Sequence, residues 1–221
     1  MQHFHLQLMS HQRLHRWQDR RGFTTVETLI ASAVGLMAAA AFLAFNHFQL
    51  HAIENQVTQL GVQNDSRAFV DLFAREVRRS GADPTCAKNV TAITEATASK
   101  IHIQADLNSN GVVDNNNNED VTYNYDSSAG VFQRTANGTT ETLLSGLTLT
   151  GTSLRYYDSS GNELVPSPSL SAAQRGSVRR VKLQLSASSS AVGSSTAKLT
   201  AAASTNVDLR NRYFVASTAC S

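Results

Sequence analysis

The sequence predicts an α+β chain of 221 residues. A long amino-terminal helix, membrane-spanning over its first half, is expected to pack on an antiparallel β-sheet domain. Three observations carry this expectation. From Phe23 to Phe45 runs an apolar stretch of 23 residues with a single charge, Glu27. Beyond it, Leu50, Ile53, Val57 and Leu60, and then Phe69, Leu72, Phe73 and Val77, recur at helical spacing. After Pro84 the pattern changes to short alternating runs between turn residues.

As a helix the apolar stretch spans about 35 Å at about 1.5 Å per residue, enough for a bilayer. Arg13, Arg16, Arg20 and Arg21 crowd its amino side, and Asn46, His47 and Gln49 open its carboxyl side. The positive-inside rule therefore places residues 1–22 in the cytoplasm and sends the body across. The leader also explains the pI of 8.7. Of 19 basic and 17 acidic side chains, four basic and one acidic lie in the leader, which leaves 15 against 16. Such a near-neutral body gives no reason to expect nucleic-acid binding.

Glu27 is the anomaly, since a charge at the centre of a membrane span costs about 2.5 to 3.5 kcal/mol on insertion scales. A cleaved secretory signal fits poorly, because Ala31-Ser32-Ala33 comes too early and the apolar run continues past it. Arg20-Arg21-Gly22-Phe23 has a twin-arginine look, but Thr24, Thr25 and Glu27 occupy what should be the apolar region. A plain signal anchor accounts for length and orientation and leaves Glu27 unexplained.

The helix is expected to continue to about residue 81, loosened at Gly61 and stopped by Ser80-Gly81 and Asp83-Pro84. Asp71 is placed to pair with Arg67 and Arg75 at i,i±4 spacing. The bland alternative for so long a helix is a coiled coil or an anchor stalk. Strands are expected at Lys100–Ala105, Val121–Tyr125, Val131–Arg134, Leu143–Thr150, Leu154–Tyr157, Val178–Leu185 and Asn206–Val215. Asn137-Gly138, Ser160-Gly161-Asn162 and Pro166 to Pro168 separate them as turns. No helical periodicity intervenes, so the sheet should be antiparallel. The Ser/Ala-rich stretch 186–204 reads as a long flexible hairpin or surface loop, with Lys198–Thr200 able to pair at its far end.

Two cysteines, Cys86 and Cys220, bracket the globular part. An even count in a translocated domain favours a disulfide; two free thiols or half of a metal site are the alternatives. Asp106, Asn108, Asn110, Gly111 and Asp114 copy the first part of an EF-hand-type calcium loop, with side-chain ligands at 106, 108, 110 and 114 and the Val112 carbonyl. Asn117 stands where the bidentate Glu belongs, and Glu119 and Asp120 come late. A calcium loop and a solvated Asn/Asp hairpin are both open readings; no other cofactor is expected. An enzyme is not expected. His102 is the only histidine of the globular region, and no nucleophile motif, P-loop or zinc spacing accompanies it.

The run Gly22-Phe23-Thr24-Thr25-Val26-Glu27-Thr28-Leu29-Ile30-Ala31 resembles the prepilin signature of type IV pilins and type II secretion pseudopilins. Gly22, Phe23, Thr24, Val26, Glu27, Leu29, Ile30 and Ala31 fit it, and Thr25 and Thr28 stand where Leu is usual. The resemblance implies a pilin-like fold and cleavage by a prepilin peptidase after Gly22. It implies N-methylation of the new terminus Phe23, and a salt bridge in assembly between Glu27 and the terminal ammonium of a neighbouring subunit. It divides the chain into a cleaved leader 1–22, a transmembrane and filament-core helix 23–45, a continuing amphipathic helix 46–81, and a globular β domain 82–221. Pilins commonly pin their carboxyl-terminal region by a disulfide, here Cys86 with Cys220. Ala44 replaces the Pro that kinks many major pilins, which suggests a minor component.

The carboxyl half is similar to PilW-like minor pilins in ADLNSNG, EDVTYNYD, LRYYDSSGNEL, VRRVKLQL and VDLRNRYF. The function implied is that of a minor pilin in assembly or initiation of a type IV pilus. The alternative is the J-type pseudopilin of a secretion tip complex. The implied partners are other pilins or pseudopilins, the peptidase and N-methyltransferase, the inner-membrane assembly platform and the lipid bilayer. The implied location is the inner membrane with a periplasmic globular domain, then the filament. An adhesin-like or DNA-receptor pilin would need an exposed patch, for which Arg175, Arg179, Arg180, Lys182, Arg210 and Arg212 are candidates, although strand charges are usually a solvated face.

Overall fold

The computed structural model describes residues 22–86, 90–147, 151–190 and 198–210. The chain divides into two units, Met1–Phe48 and Gln49–Ser221. Helix α1, Thr25–Arg79, begins in the first and ends in the second, and it stays helical through Gly61. In the first unit Leu29, Ile30, Leu36, Met37, Phe42 and Leu43 are all exposed. The helix is long and apolar enough to cross a membrane. Three polar side chains of its apolar part bond back to the helix: Thr28 Oγ1 donates to the Thr24 carbonyl at 3.1 Å, Ser32 Oγ to Leu29 at 2.9 Å, and Asn46 Nδ2 to Phe42 at 2.9 Å. That is the pattern a hydrocarbon surrounding requires, where an unpaired polar group is costly.

In the second unit the two apolar stripes of α1 behave differently. Leu50, Ile53, Val57 and Leu60 are exposed, whereas Phe69, Phe73, Ala74 and Val77 are buried. The buried stripe packs on a five-stranded sheet in the order β1-β2-β3-β4-β5: β1 Ile93–Ala96, β2 Lys100–Gln104, β3 Asp120–Asp126, β4 Val131–Ala136 and β5 Thr139–Leu144. Every neighbouring pair is antiparallel. Alternation puts Ile101, Ile103, Val121, Tyr123 and Phe132 in the core and their neighbours on the other face. The helix and sheet meet through aromatic rings, Phe69 with Phe132 at 4.8 Å and Phe73 edge-on to Tyr123 at 5.1 Å between centroids. Gly81 ends the helix with φ +77, and its N–H donates to the Gln104 carbonyl at 2.7 Å. A Cβ there would lie 2.8 Å from that of Ala92.

A second sheet has the order β7-β6-β8-β9: β6 Ser153–Tyr157, β7 Glu163–Leu164, β8 Arg180–Ser190 and β9 Lys198–Asp208. Leu154, Tyr156, Val181, Leu183, Leu185 and Val207 join the same core cluster as the helix aromatics. Tyr156 Oη donates to the Thr97 carbonyl at 2.8 Å, and Leu147 bridges Ala187, so both sheets are stitched at their ends.

The differences from the sequence reading have physical causes. The stretch expected as a loop from 186 to 204 forms strand through Ser190 and again from Lys198. There an unbroken ladder to β8 compensates for side chains too small to signal burial. Residues 191–197 lie outside the described residues, as do 148–150 and 211–215 of two expected strands. β5 starts at Thr139, directly after the turn, because Asn137 and Gly138 take φ +53 and +73 and close a two-residue hairpin pairing Ala136 with Thr139. β1, β7 and a short helix α2, Ala172–Ser177, were not expected; α2 is held by a capping box between Ser171 and Gln174. Asp71 forms no ion pair with Arg67 or Arg75 among the described residues.

Phe73→Ala should cost about 3 to 5 kcal/mol of unfolding free energy through lost transfer and cavity terms. Leu50→Ala should cost within about 0.5 kcal/mol. Chemical denaturation of the detergent-solubilised chain, followed by near-ultraviolet circular dichroism, measures both. Burial first, and then the negative charges of Glu76 and Glu95, push the phenols of Tyr123 and Tyr156 far above their usual 10.0. A raised folded-state pKa means stability fully present below the unfolded value and lost as pH climbs above it. The tyrosinate absorbance of these two should therefore rise only together with alkaline unfolding.

Candidate functional site

Two places hold the residues singled out from the sequence, one in each unit. In the first, Gly22 has nothing within 4 Å of the position a Cβ would take, and Phe23 is 83% exposed. The helix begins with a reciprocal pair: the Glu27 N–H donates to Thr24 Oγ1 at 3.2 Å, and the Thr24 N–H donates to Glu27 Oε2 at 3.5 Å. This is a capping box, and it places the Glu27 carboxylate in the first turn, against the positive end of the helix dipole. Thr24-Thr25-Val26-Glu27 carries the T-x-x-E signal of such a box directly before the apolar run. Glu27 is therefore partnered within its own chain at the mouth of the apolar stretch.

In the second unit, the loop between β2 and β3 is organised by two buried carboxylates at its ends. Asp106 Oδ1 accepts the N–H groups of Ser109 and Asn110 at 2.7 and 3.2 Å. Its Oδ2 accepts the Gly111 N–H at 2.9 Å and the Thr85 hydroxyl at 3.4 Å. Glu119 Oε1 accepts from Leu107 and Asn108, both at 2.9 Å, and its Oε2 from Asp114 at 2.8 Å. Each is 1% exposed, so backbone amides replace the water both have lost. Gly111 takes φ +81, as the sharp turn at that position requires.

Between these anchors, Asn108 and Asn110 direct their carboxamides at Asp114 Oδ2, at 3.1 and 2.8 Å. The Val112 N–H donates to Asn110 Oδ1 at 2.9 Å. The side chains of Asn108, Asn110 and Asp114 thus meet, whereas those of Asp106 and, from outside the expected set, Glu119 are taken up by backbone N–H groups. Glu119 comes late by the fixed spacing of a calcium loop because it stands directly before the next strand. Among the described residues there is no group of three or more His, Cys, Asp or Glu placed to hold a metal ion.

Next to this loop lies a network that periodicity did not reveal. Glu76 sits on the buried face of α1 and receives Arg134 Nη2 at 2.7 Å, Arg134 Nε at 3.1 Å and the Tyr123 hydroxyl at 2.6 Å. Burial alone would lower the Arg134 guanidinium, but its bonds and charge pairing with Glu76 outweigh that and raise it. Arg134 Nη2 also donates to Asn118 Oδ1 at 2.9 Å, beside Glu119. Cys86 follows the helix cap with φ +56, and its expected partner Cys220 lies outside the described residues. His102 pairs with Asp120 across β2 and β3 on the face away from the helix, with Gln104 donating to the same carboxylate at 3.1 Å.

Residues 55–209 match the family described as PpdB, prepilin peptidase-dependent protein B. No curated protein and no solved structure matches the chain.

Removing one partner of the buried pair should be costly. Glu76→Ala should lower unfolding free energy by about 3 to 5 kcal/mol, because Arg134 is left largely buried without its counter-charge. Adding Arg134→Met to that variant should restore much of the loss. The pair of denaturation curves checks this, and equal stability of the single and double variants would contradict it.

Proposed function

Because the chain belongs to the prepilin peptidase-dependent protein B family, we propose that it is a minor pilin, a structural subunit of a type IV pilus that takes part in assembly and initiation. The observation that carries this reading is the segment Gly22–Glu27: an exposed Gly-Phe junction, then a capped helix start bearing the one carboxylate, then an apolar helix long enough to cross a membrane. The leader 1–22 is held in the cytoplasm by its arginines, and the peptidase cuts after Gly22. Phe23 then carries the new ammonium and is N-methylated. Residues 23–45 cross the inner membrane and later enter the filament core, 46–81 continue the helix, and 82–221 fold in the periplasm. The partners are other pilins, the peptidase, the assembly platform and the bilayer; the role is structural, not enzymatic.

Glu27 is the assembly contact in this reading. Its carboxylate is already engaged by the Thr24 N–H of its own chain, so pairing with the ammonium of a neighbouring Phe23 adds a charge partner to a group held in place. Cys86 pairs with Cys220 and ties the carboxyl terminus to the end of α1. In the loop, rotating the carboxamides of Asn108 and Asn110 would turn both oxygens toward the Asp114 carboxylate, an arrangement that a cation would hold together. On that ground we also propose a calcium ion at Asp106, Asn108, Asn110, the Val112 carbonyl and Asp114. The J-type pseudopilin of a secretion tip complex shares the signature and helix. It would be separated by a deletion strain that loses enzyme secretion and keeps surface pili.

Mass spectrometry of the mature chain should find N-methyl-phenylalanine at residue 23, and a mature chain that keeps its leader would overturn the assignment. Glu27→Gln retains an acceptor for the Thr24 N–H and removes the charge. It should leave cleavage intact and reduce incorporation into filaments as strongly as Glu27→Ala does; full incorporation of the Gln variant would show that only the cap matters. Calorimetry with calcium at about 1 mM should register binding in the parent chain and none in Asp114→Ala. Silence in both would remove the metal from the proposal.

A further inference from the structure

Edge strands usually carry a device against pairing with another chain, such as charge, proline, a bulge or brevity. Three of the four outer edges here follow that rule. β7 has two residues, β1 is bulged between Ile93 and Glu95, and β5 carries Glu141 and pairs irregularly with β4. β9 does not. Its eleven residues pair with β8 without a register shift, and Leu199 to Val207 contains neither charge nor proline. Among the described residues no strand pairs with its outer edge. A groove of about 550 Å³ runs beside that edge, between Thr200–Ser204 and Gln63, Ser66, Arg67, Val70 and Asp71 of α1.

We propose that β9 is the pairing edge for a second copy of this chain, joined antiparallel about a two-fold axis at Ala203. The argument is register and charge. Centred there, Lys198 of each copy stands opposite Asp208 of the other, and Ala202 opposite Ser204. Within each chain Arg180 Nε donates to Asp208 Oδ1 at 2.8 Å, which holds that carboxylate at the end of β9. Even-numbered residues oppose even-numbered ones. The exposed row Thr200, Ala202, Ser204 and Asn206 thus continues on one face, and the row of Ala201, Ala203, Thr205 and Val207 on the other. A slip by one residue would mix the two faces, and a slip by two would set Lys198 against Asn206 and lose both charge pairs. Small side chains let the two backbones approach, and the pairing joins two four-stranded sheets into one.

This goes beyond the pilin assignment and does not depend on it. Sedimentation of the full chain in detergent should show a dimer that dissociates on dilution. Ala202→Lys, on the exposed row, should be monomeric at concentrations where the parent is dimeric, with unchanged far-ultraviolet circular dichroism. Mixing chains carrying Ala202→Cys with chains carrying Ser204→Cys should give a cross-linked heterodimer under mild oxidation, faster than either variant alone. A chain that stays monomeric at every concentration would overturn the proposal. So would a dimer unaffected by Ala202→Lys, or cross-linking by Ala202→Cys alone that is as fast as in the mixture.

Discussion

The bidentate bond between Glu76 and Arg134, with the Tyr123 hydroxyl on the same carboxylate, is the constraint on which the globular unit turns. Aromatic rings supply area and a preference for edge-on or offset contact, but no single partner atom. A guanidinium fork on a buried carboxylate admits one geometry. Once Glu76 is fixed, Phe73 is edge-on to Tyr123 and Phe69 lies on Phe132, three or seven residues back along the same face. The helix end is then delivered to β2, where the Gly81 N–H meets the Gln104 carbonyl.

From that point order passes outward through carboxylates. The Asp106 N–H meets the Ala82 carbonyl just past the helix cap, and its side chain gathers the first half of the loop. Glu119 gathers the remainder, and Asn118 returns a bond to Arg134. Helix end, loop and sheet therefore share one set of buried acceptors. Of the loop's exposed side chains, Asn118 is tied to that network, while Asn108 and Asn110 bond to Asp114 within the loop.

Much of this was legible in the sequence, for reasons that can be stated. The long helix, its stop at Gly81, the alternation of β2 and β3 and the turn at Asn137-Gly138 all follow from periodicity or from backbone conformations few residues tolerate. β8 and β9 were half missed because Ser and Ala announce neither burial nor exposure, and the ladder between them is a long-range fact. Glu76 was invisible because it sits in an apolar helical stripe, and its partners lie 47 and 58 residues away. The cap at Thr24 shares its glutamate with the prepilin-like signature, so one residue carries two patterns.

The hydroxyls and carboxamide of Thr28, Ser32 and Asn46, each turned back onto a carbonyl of its own helix, have a last consequence. An apolar segment that carries its own complement of hydrogen bonds asks nothing of its surroundings except that they be apolar. Lipid chains and the flanks of neighbouring helices are then interchangeable solvents for it. Moving from one to the other breaks no bond and unfolds no turn. It would be an exchange of neighbours, decided by shape.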